Sequence, residues 1–109
     1  MMHEIKMKHM TIDGVNLETW EQEVTNCNIL SVEAGTSGYR RNSEDGARTF
    51  FSMKCIEDIA MKVKPIFGKW DETIGFEVEV SGDDQLDTII DALKYITHVL
   101  EEERELYDV

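Results

Sequence analysis

Alternation of apolar and polar residues predicts a series of strands along the first three-quarters of the chain. In residues 4–12, Ile5 and Met7 alternate with Lys6 and Lys8, which is the period of a half-buried strand. The Asp13-Gly14 dipeptide that follows is a hairpin signal. Further strands are predicted over residues 27–34, 49–54, 60–66 and 74–80, which are rich in β-branched and aromatic residues.

Two segments fit the strand pattern less simply. Leu17, Trp20 and Val24 follow each other at helical spacing, so a short helix or helical turn over 17–24 is favoured over a returning strand. Pro65 has no backbone N–H, which places the strand over 60–66 at a sheet edge or ends it near the proline.

The last quarter of the chain has the period of a helix. From Asp83 onward the apolar residues recur at steps of three and four: Leu86, Ile89, Ile90, Leu93, Ile96 and Leu100. Ser81 or Asp83 can cap the start of a helix over residues 83–105. The elements together predict an α+β fold in one domain over residues 1–109. An antiparallel sheet of about five strands is expected to have this long amphipathic helix packed on one face.

Size and composition agree with a single soluble domain. A chain of 109 residues with 41% hydrophobic residues can form one core without a stabilising disulfide or metal. Cys27 and Cys55 are isolated and are interpreted as reduced thiols. Residues 1–10 lack the apolar run of a signal peptide, and apolar runs elsewhere are too short to cross a bilayer. We therefore expect a cytoplasmic protein.

The net charge of −12 is concentrated in the second half of the chain. Residues 1–54 contain six basic and eight acidic side chains, whereas residues 55–109 contain five basic and fifteen acidic ones. A field of this sign repels nucleic acids and anionic membranes, whose recognition depends on Lys and Arg. Direct binding to nucleic acid or to a membrane is therefore not expected, and a basic protein partner is.

Residues suited to catalysis or metal binding form no recognisable motif. The spacing of His3, His9 and His98 matches no zinc pattern, and neither cysteine has a base near it in the sequence. No phosphate-binding glycine loop is present. No catalytic residue, metal site or cofactor is predicted, and the protein is expected not to be an enzyme.

The glycine-rich segment 35–48 is predicted to be a long loop, a feature that is often functional or mobile. It contains Tyr39, Arg40, Arg41 and Arg48, whose guanidinium groups and aromatic ring suit a nucleotide. The alternative is a mobile surface loop in which the arginines pair with Glu44 and Asp45.

The C-terminal helix is strongly acidic. Residues 81–109 contain nine acidic and two basic side chains. Either this is a solvated helix face or it is a surface that binds a basic partner, as a mimic of nucleic-acid phosphates. The candidate partner-binding residues are Asp84, Asp87, Asp91, Glu101, Glu102 and Glu103.

Three stretches, NCNILSVEAGTSGY, ARTFF and LDTIIDALKYITHVLEEE, carry a family resemblance. With them the chain resembles small uncharacterised acidic proteins of Gram-positive phages and mobile elements. The loop RRNSEDGAR departs from that group, in which a glycine-rich run with a histidine is expected. The resemblance implies an anti-defence setting within a bacterial host cell, such as that of an anti-CRISPR protein or a protein that sequesters a nucleotide messenger.

Two functional hypotheses follow. The leading one is a non-enzymatic inhibitor of a host defence system that binds a basic protein, such as a nuclease, through its acidic surface. The alternative is a protein that sequesters a nucleotide messenger with the loop 39–48. The surplus of aromatic residues also suggests a homodimer, with the strand over 27–34 or 60–66 pairing across it.

Overall fold

The computed structural model describes residues 5–25, 29–38, 46–56 and 61–107. It confirms the α+β class, with six antiparallel strands followed by one long helix. The elements in chain order are β1 (Lys6–Ile12), β2 (Val15–Thr25), β3 (Ile29–Thr36), β4 (Thr49–Cys55), β5 (Lys62–Phe67), β6 (Thr73–Glu79) and α1 (Asp83–Tyr107).

The strands form two sheets instead of the single five-stranded sheet that was predicted. Strands β1 to β4 follow one another in a four-stranded meander, and β5 pairs only with β6 in a separate hairpin. We call this hairpin the arm. The prediction of an edge position for Pro65 is confirmed, because both strands of a two-stranded sheet are edges.

Residues 17–24 form part of β2, so the prediction of a helical turn there is wrong. β2 lies between β1 and β3 and pairs with β1 over residues 15–21 and with β3 over residues 19–25. Leu17 lies on one face of the sheet, and Trp20 and Val24 lie on the other. The backbone hydrogen bonds with β1 and β3 therefore determine the conformation of this segment, and the helical spacing of its apolar residues does not.

The Asp13-Gly14 turn is confirmed as the hairpin between β1 and β2. Both residues have positive φ angles, 51° and 80°, and Ile12 pairs with Val15 across the turn. This is the geometry in which a two-residue turn matches the twist of its strands.

Helix α1 packs on one face of the four-stranded sheet, mainly against β3. Strand β3 contributes Leu30, Val32 and Ala34 to the core, and all three are almost fully buried. The helix contributes Ala92, Ile96 and Val99. The short side chains of Ala34 and Ala92, both fully buried, allow the helix to approach the sheet closely.

The other face of the sheet carries a compact ion-pair cluster. The Lys8 ammonium lies 3.0 Å from Glu21 and 3.6 Å from Glu33. The Thr19 hydroxyl donates to Glu33 at 2.6 Å. The hydrogen bond to Glu21 raises the pKa of Lys8, and the same bond lowers the pKa of Glu21. Lys6 and Lys54 also lie close enough to act on Glu21. The carboxylates of this cluster are thus engaged by lysines of the same sheet, so we assign the cluster to the structure of the sheet.

Candidate functional site

The exposed surface of α1 divides into two flanks and an outer ridge, because about 3.6 residues make one turn. The buried inner face consists of Thr88, Ala92, Ile96, Val99 and Glu103. The acidic flank consists of Asp84, Asp87, Asp91, His98, Glu102 and Glu105, all exposed. The apolar flank consists of Leu86, Ile90 and Leu93, which are 53%, 39% and 49% exposed.

The two flanks face opposite sides of the sheet. β3, beneath α1, lies between β2 and β4, so a flank of the helix that faces away from β4 faces β2. Thr97 and Leu100, one and two turns beyond Leu93, line a cleft with Thr49 of β4. The apolar flank therefore faces the β4 side of the molecule.

Five of the six acidic residues selected from the sequence lie at the surface. Asp84, Asp87, Asp91 and Glu102 lie together on the acidic flank. Glu101 lies on the outer ridge, between the flanks. Since Asp84 and Glu105 are 21 residues apart, the acidic flank extends over about 32 Å of helix.

Glu103 is not at the surface. It is 4% exposed and lies between α1 and the sheet, where neither carboxylate oxygen has a hydrogen-bond partner of good geometry. Burial raises the pKa of Glu103, although the nearby Trp20 indole and the Thr36 backbone amide act in the opposite direction. A buried carboxylate cannot meet a partner surface, so we remove Glu103 from the candidate site.

Tyr95 presents a second buried polar group on the same helix. Its hydroxyl is buried and has no hydrogen-bond partner. Burial, together with the charges of Glu21 and Glu33, raises the pKa of Tyr95 to about 12. The phenol therefore stays neutral at physiological pH, and it forms part of the packing between helix and sheet.

The arginine loop is only partly within the described residues. Tyr39, Arg40 and Arg41 lie outside them. Arg48 is described, and its guanidinium Nε donates to Asp13 at 3.2 Å, across to the β1–β2 turn. The backbone of Arg48 exchanges hydrogen bonds with Ser37, which closes the base of the loop.

A cleft of about 310 Å³ lies between this base and α1. It is lined by Thr36, Gly38, Ala47, Thr49, Thr97, Leu100, Glu101 and Arg104. The hydroxyls of Thr36 and Thr49 already bond to each other at 2.9 Å. Arg48 is not among the lining residues. Among the described residues, the basic side chain that lines this cleft is Arg104, which was not predicted as a site residue from the sequence.

The described histidines bind carboxylates. His98 lies 3.1 Å from Glu102 on the acidic flank, and His9 lies 3.9 Å from Glu18. Within residues 5–25, 29–38, 46–56 and 61–107, His, Cys, Asp and Glu side chains form no group of three that could hold a metal ion. Cys55 is a free, half-buried thiol, as predicted, whereas His3 and Cys27 lie outside the described residues.

Comparison with known proteins adds no family. No family model matches the sequence, and neither the curated proteins nor the solved structures contain a match. Among the described residues, α1 is the one helix, and it lacks the run of apolar residues that crossing a membrane requires.

Proposed function

We propose that this is a non-enzymatic binding protein that engages a basic protein surface through the acidic flank of α1. The observation that carries the proposal is the segregation of charge on the helix. Five carboxylates project from one exposed flank, while the apolar residues lie on the opposite flank. Simple solvation requires polar residues but does not require them to be of one sign along one side.

The spacing of these carboxylates favours a protein partner over strict imitation of DNA. Five carboxylates over about 32 Å amount to one per ~6 Å. Duplex DNA carries one negative charge per ~1.7 Å of its axis, and one of its strands carries one per ~3.4 Å. The flank is therefore sparser than either, and an ordinary basic protein surface is the partner that its charge density suits.

The resemblance to small phage proteins gives this proposal a setting. In that setting the partner is a basic protein of a bacterial defence system, such as a nuclease. An acidic flank speeds encounter with such a partner by long-range attraction, and the contact weakens as salt screens it.

Two pairs of charge reversals test the proposal. D87K/D91K changes the acidic flank, whereas E77K/E79K makes the same change in net charge on the polar face of the arm. In pull-downs from the bacterial host, we expect the wild type and E77K/E79K to retain a partner that D87K/D91K loses by at least about tenfold. Circular dichroism checks that both variants fold.

Retention of the partner by D87K/D91K would contradict the proposal. Loss of the partner from both variants alike would also contradict it, because total charge would then matter and the flank would not. Adding duplex DNA to the wild-type pull-down distinguishes binding to an ordinary basic surface from mimicry of nucleic acid. Displacement of the partner by the DNA supports mimicry.

A nucleotide-sequestering function is the second candidate, and the cleft beside Arg104 favours it. Thr97 and Arg104 offer a hydroxyl and a guanidinium beside Gly38, at the start of the arginine-bearing loop. The carboxylate of Glu101 also lines the cleft and would repel an anionic ligand, which is why this function ranks second. Calorimetry against a panel of nucleotides is the test: R104A should abolish the heat of binding, and no heat with any nucleotide would exclude the function.

A further inference from the structure

The arm exposes a complete apolar face. The pairs Val63–Val78 and Pro65–Phe76 put apolar side chains on one face, while Lys62 and Lys64 face Glu79 and Glu77 on the other. Phe67 and Ile74 lie at a register shift that pairs Phe67 with Thr73, and we count them with the apolar face because they continue the alternation of β5 and β6. The five large residues of the apolar face other than the proline are between 37% and 64% exposed, and Trp70 at the tip is 80% exposed. A two-stranded hairpin with an uncovered apolar face is marginally stable in water.

This face continues onto the body of the protein. The Phe76 ring packs against Phe51 of β4 with centroids 6.3 Å apart. A groove of about 460 Å³ lies between β4 and the arm, and Met53, Met61 and Val63 are among its lining residues. We call the arm face, Trp70 and Phe51 together the apolar patch.

The size of the apolar patch matches that of a stable protein interface. It contains seven large apolar side chains that are between 37% and 80% exposed. With about 150 Å² for a large side chain, they leave on the order of 600 Å² of apolar surface open. Each partner in a stable complex contributes roughly 600 to 1,000 Å². A monomeric protein rarely leaves a patch of this size uncovered.

We infer that the apolar patch is the interface of a homodimer, with a second copy of this chain as its occupant. The patch offers both a protruding element, the arm tip with Trp70, and a recess, the groove beside β4. A twofold interface requires such self-complementarity, because the same surface must supply both partners. The arm also needs cover in order to be stable, and a second copy is present wherever the chain folds.

Charge supports a second copy over the basic partner proposed above. Strands β4 to β6 and the turn of the arm contain four lysines, Lys54, Lys62, Lys64 and Lys69, and four acidic residues, Asp71, Glu72, Glu77 and Glu79. The patch is therefore close to neutral in a chain of net charge −12. A near-neutral surface lets two strongly acidic chains approach, whereas a basic partner would find more attraction on the acidic flank.

The structure also decides between the two strands that the sequence suggested for a dimer. Strand β3, which covers most of residues 27–34, pairs with β2 on one side and β4 on the other and has no free edge. That suggestion is wrong. The strand near 60–66 belongs to the arm, within the apolar patch.

Sedimentation of the full chain tests the inference. We expect a wild-type mass of twice the 12.6 kDa of one chain at micromolar concentration. F67E/I74E places two charges on the arm face and should raise the dimer dissociation constant by at least about 100-fold. The matched control I5E/M7E changes two residues on the β1 edge with similar exposure, 50% and 47%, and should stay dimeric.

Three results would overturn the inference. The wild type could remain monomeric at about 100 µM, roughly ten times the working concentration. The F67E/I74E variant could form the dimer as well as the wild type does, or I5E/M7E could dissociate while F67E/I74E does not.

If F67E/I74E fails to fold, Trp70 fluorescence provides a second test. Dilution of the wild type should shift the emission to the red as Trp70 becomes exposed, and the conservative variant W70F should lose that shift. The D87K/D91K variant should remain dimeric, which separates this inference from the proposed function.

Discussion

The four-stranded sheet and the arm are built from the same kind of strand, but only one of them is covered. In the sheet, α1 lies over the apolar face, and Val32 and Ala34 are fully buried. In the arm, Val63 and Val78 form a similar apolar pair and remain 54% and 37% exposed. Alternation thus defines which face of a strand is apolar, and a second layer is needed to bury it.

The difference between the two regions has an energetic consequence. Side chains in the sheet core are surrounded by fixed neighbours, so a change in their volume has a large cost. Side chains of the arm contact few neighbours within one chain, so the same change there should be nearly neutral until a second copy covers them. Matched changes in the two regions should therefore differ in their effect on the free energy of unfolding.

The largest difference is expected between two glycines. A Cβ atom added at Gly35 of β3 would clash with the backbone of Glu18 and Thr19 in β2, and backbone cannot move aside cheaply. One added at Gly75 of the arm would lie 3.6 Å from the Ile66 side chain, an ordinary contact. We expect G35A to lower the free energy of unfolding by about 3 kcal/mol and G75A by less than about 0.5 kcal/mol.

Urea denaturation followed by circular dichroism measures both glycine variants. Equal losses for G35A and G75A would show that the close approach of β2 and β3 does not constrain position 35.

A matched pair of valines gives the next largest difference. V32A leaves a cavity beneath α1 and should lower the free energy of unfolding by about 2 kcal/mol. V63A removes the same two methyl groups from an exposed position and should cost less than about 0.5 kcal/mol in dilute protein. If the loss of unfolding free energy caused by V63A increases with protein concentration, a second copy covers the arm.

The C-terminal helix was the element best predicted from the sequence, because its signal is local. Apolar residues from Leu86 to Leu100 repeat with the helical period, and the observed helix begins at the predicted Asp83. Strand β2 was missed because Leu17, Trp20 and Val24 mimic that period by chance. Only the ladders with β1 and β3, which join residues distant in the chain, separate these alternatives.

The candidate site was predicted in composition but not in arrangement. The sequence showed that the helix is acidic, and the structure divides its charges among a flank, a ridge and a buried position. Glu103 did carry a signal: it follows Val99 by four residues and Ile96 by seven, which is the spacing of the inner face. The apolar face of the arm was visible in the alternation of residues 74–80, but its lack of cover depends on tertiary packing.

The smallest expected effect is a gain in stability, and it arises at the seam between α1 and the sheet. Glu103 is buried there without a hydrogen-bond partner of good geometry among the described residues, and burial raises its pKa. The folded chain therefore keeps this proton at pH values where the unfolded chain has lost it, so stability falls as pH rises through the ordinary glutamate pKa toward the raised one.

E103Q removes the charge and should add about 1 kcal/mol to the free energy of unfolding at pH 7, or ~4 °C in Tm. The gain should vanish below the ordinary pKa of 4.5, where both states of the wild type are protonated. E102Q is the control, because Glu102 is exposed on the acidic flank, and thermal melts from pH 3 to pH 8 should show no such gain for it. A gain from E103Q that is independent of pH would mean that shape, and not the buried charge, sets the cost at this seam.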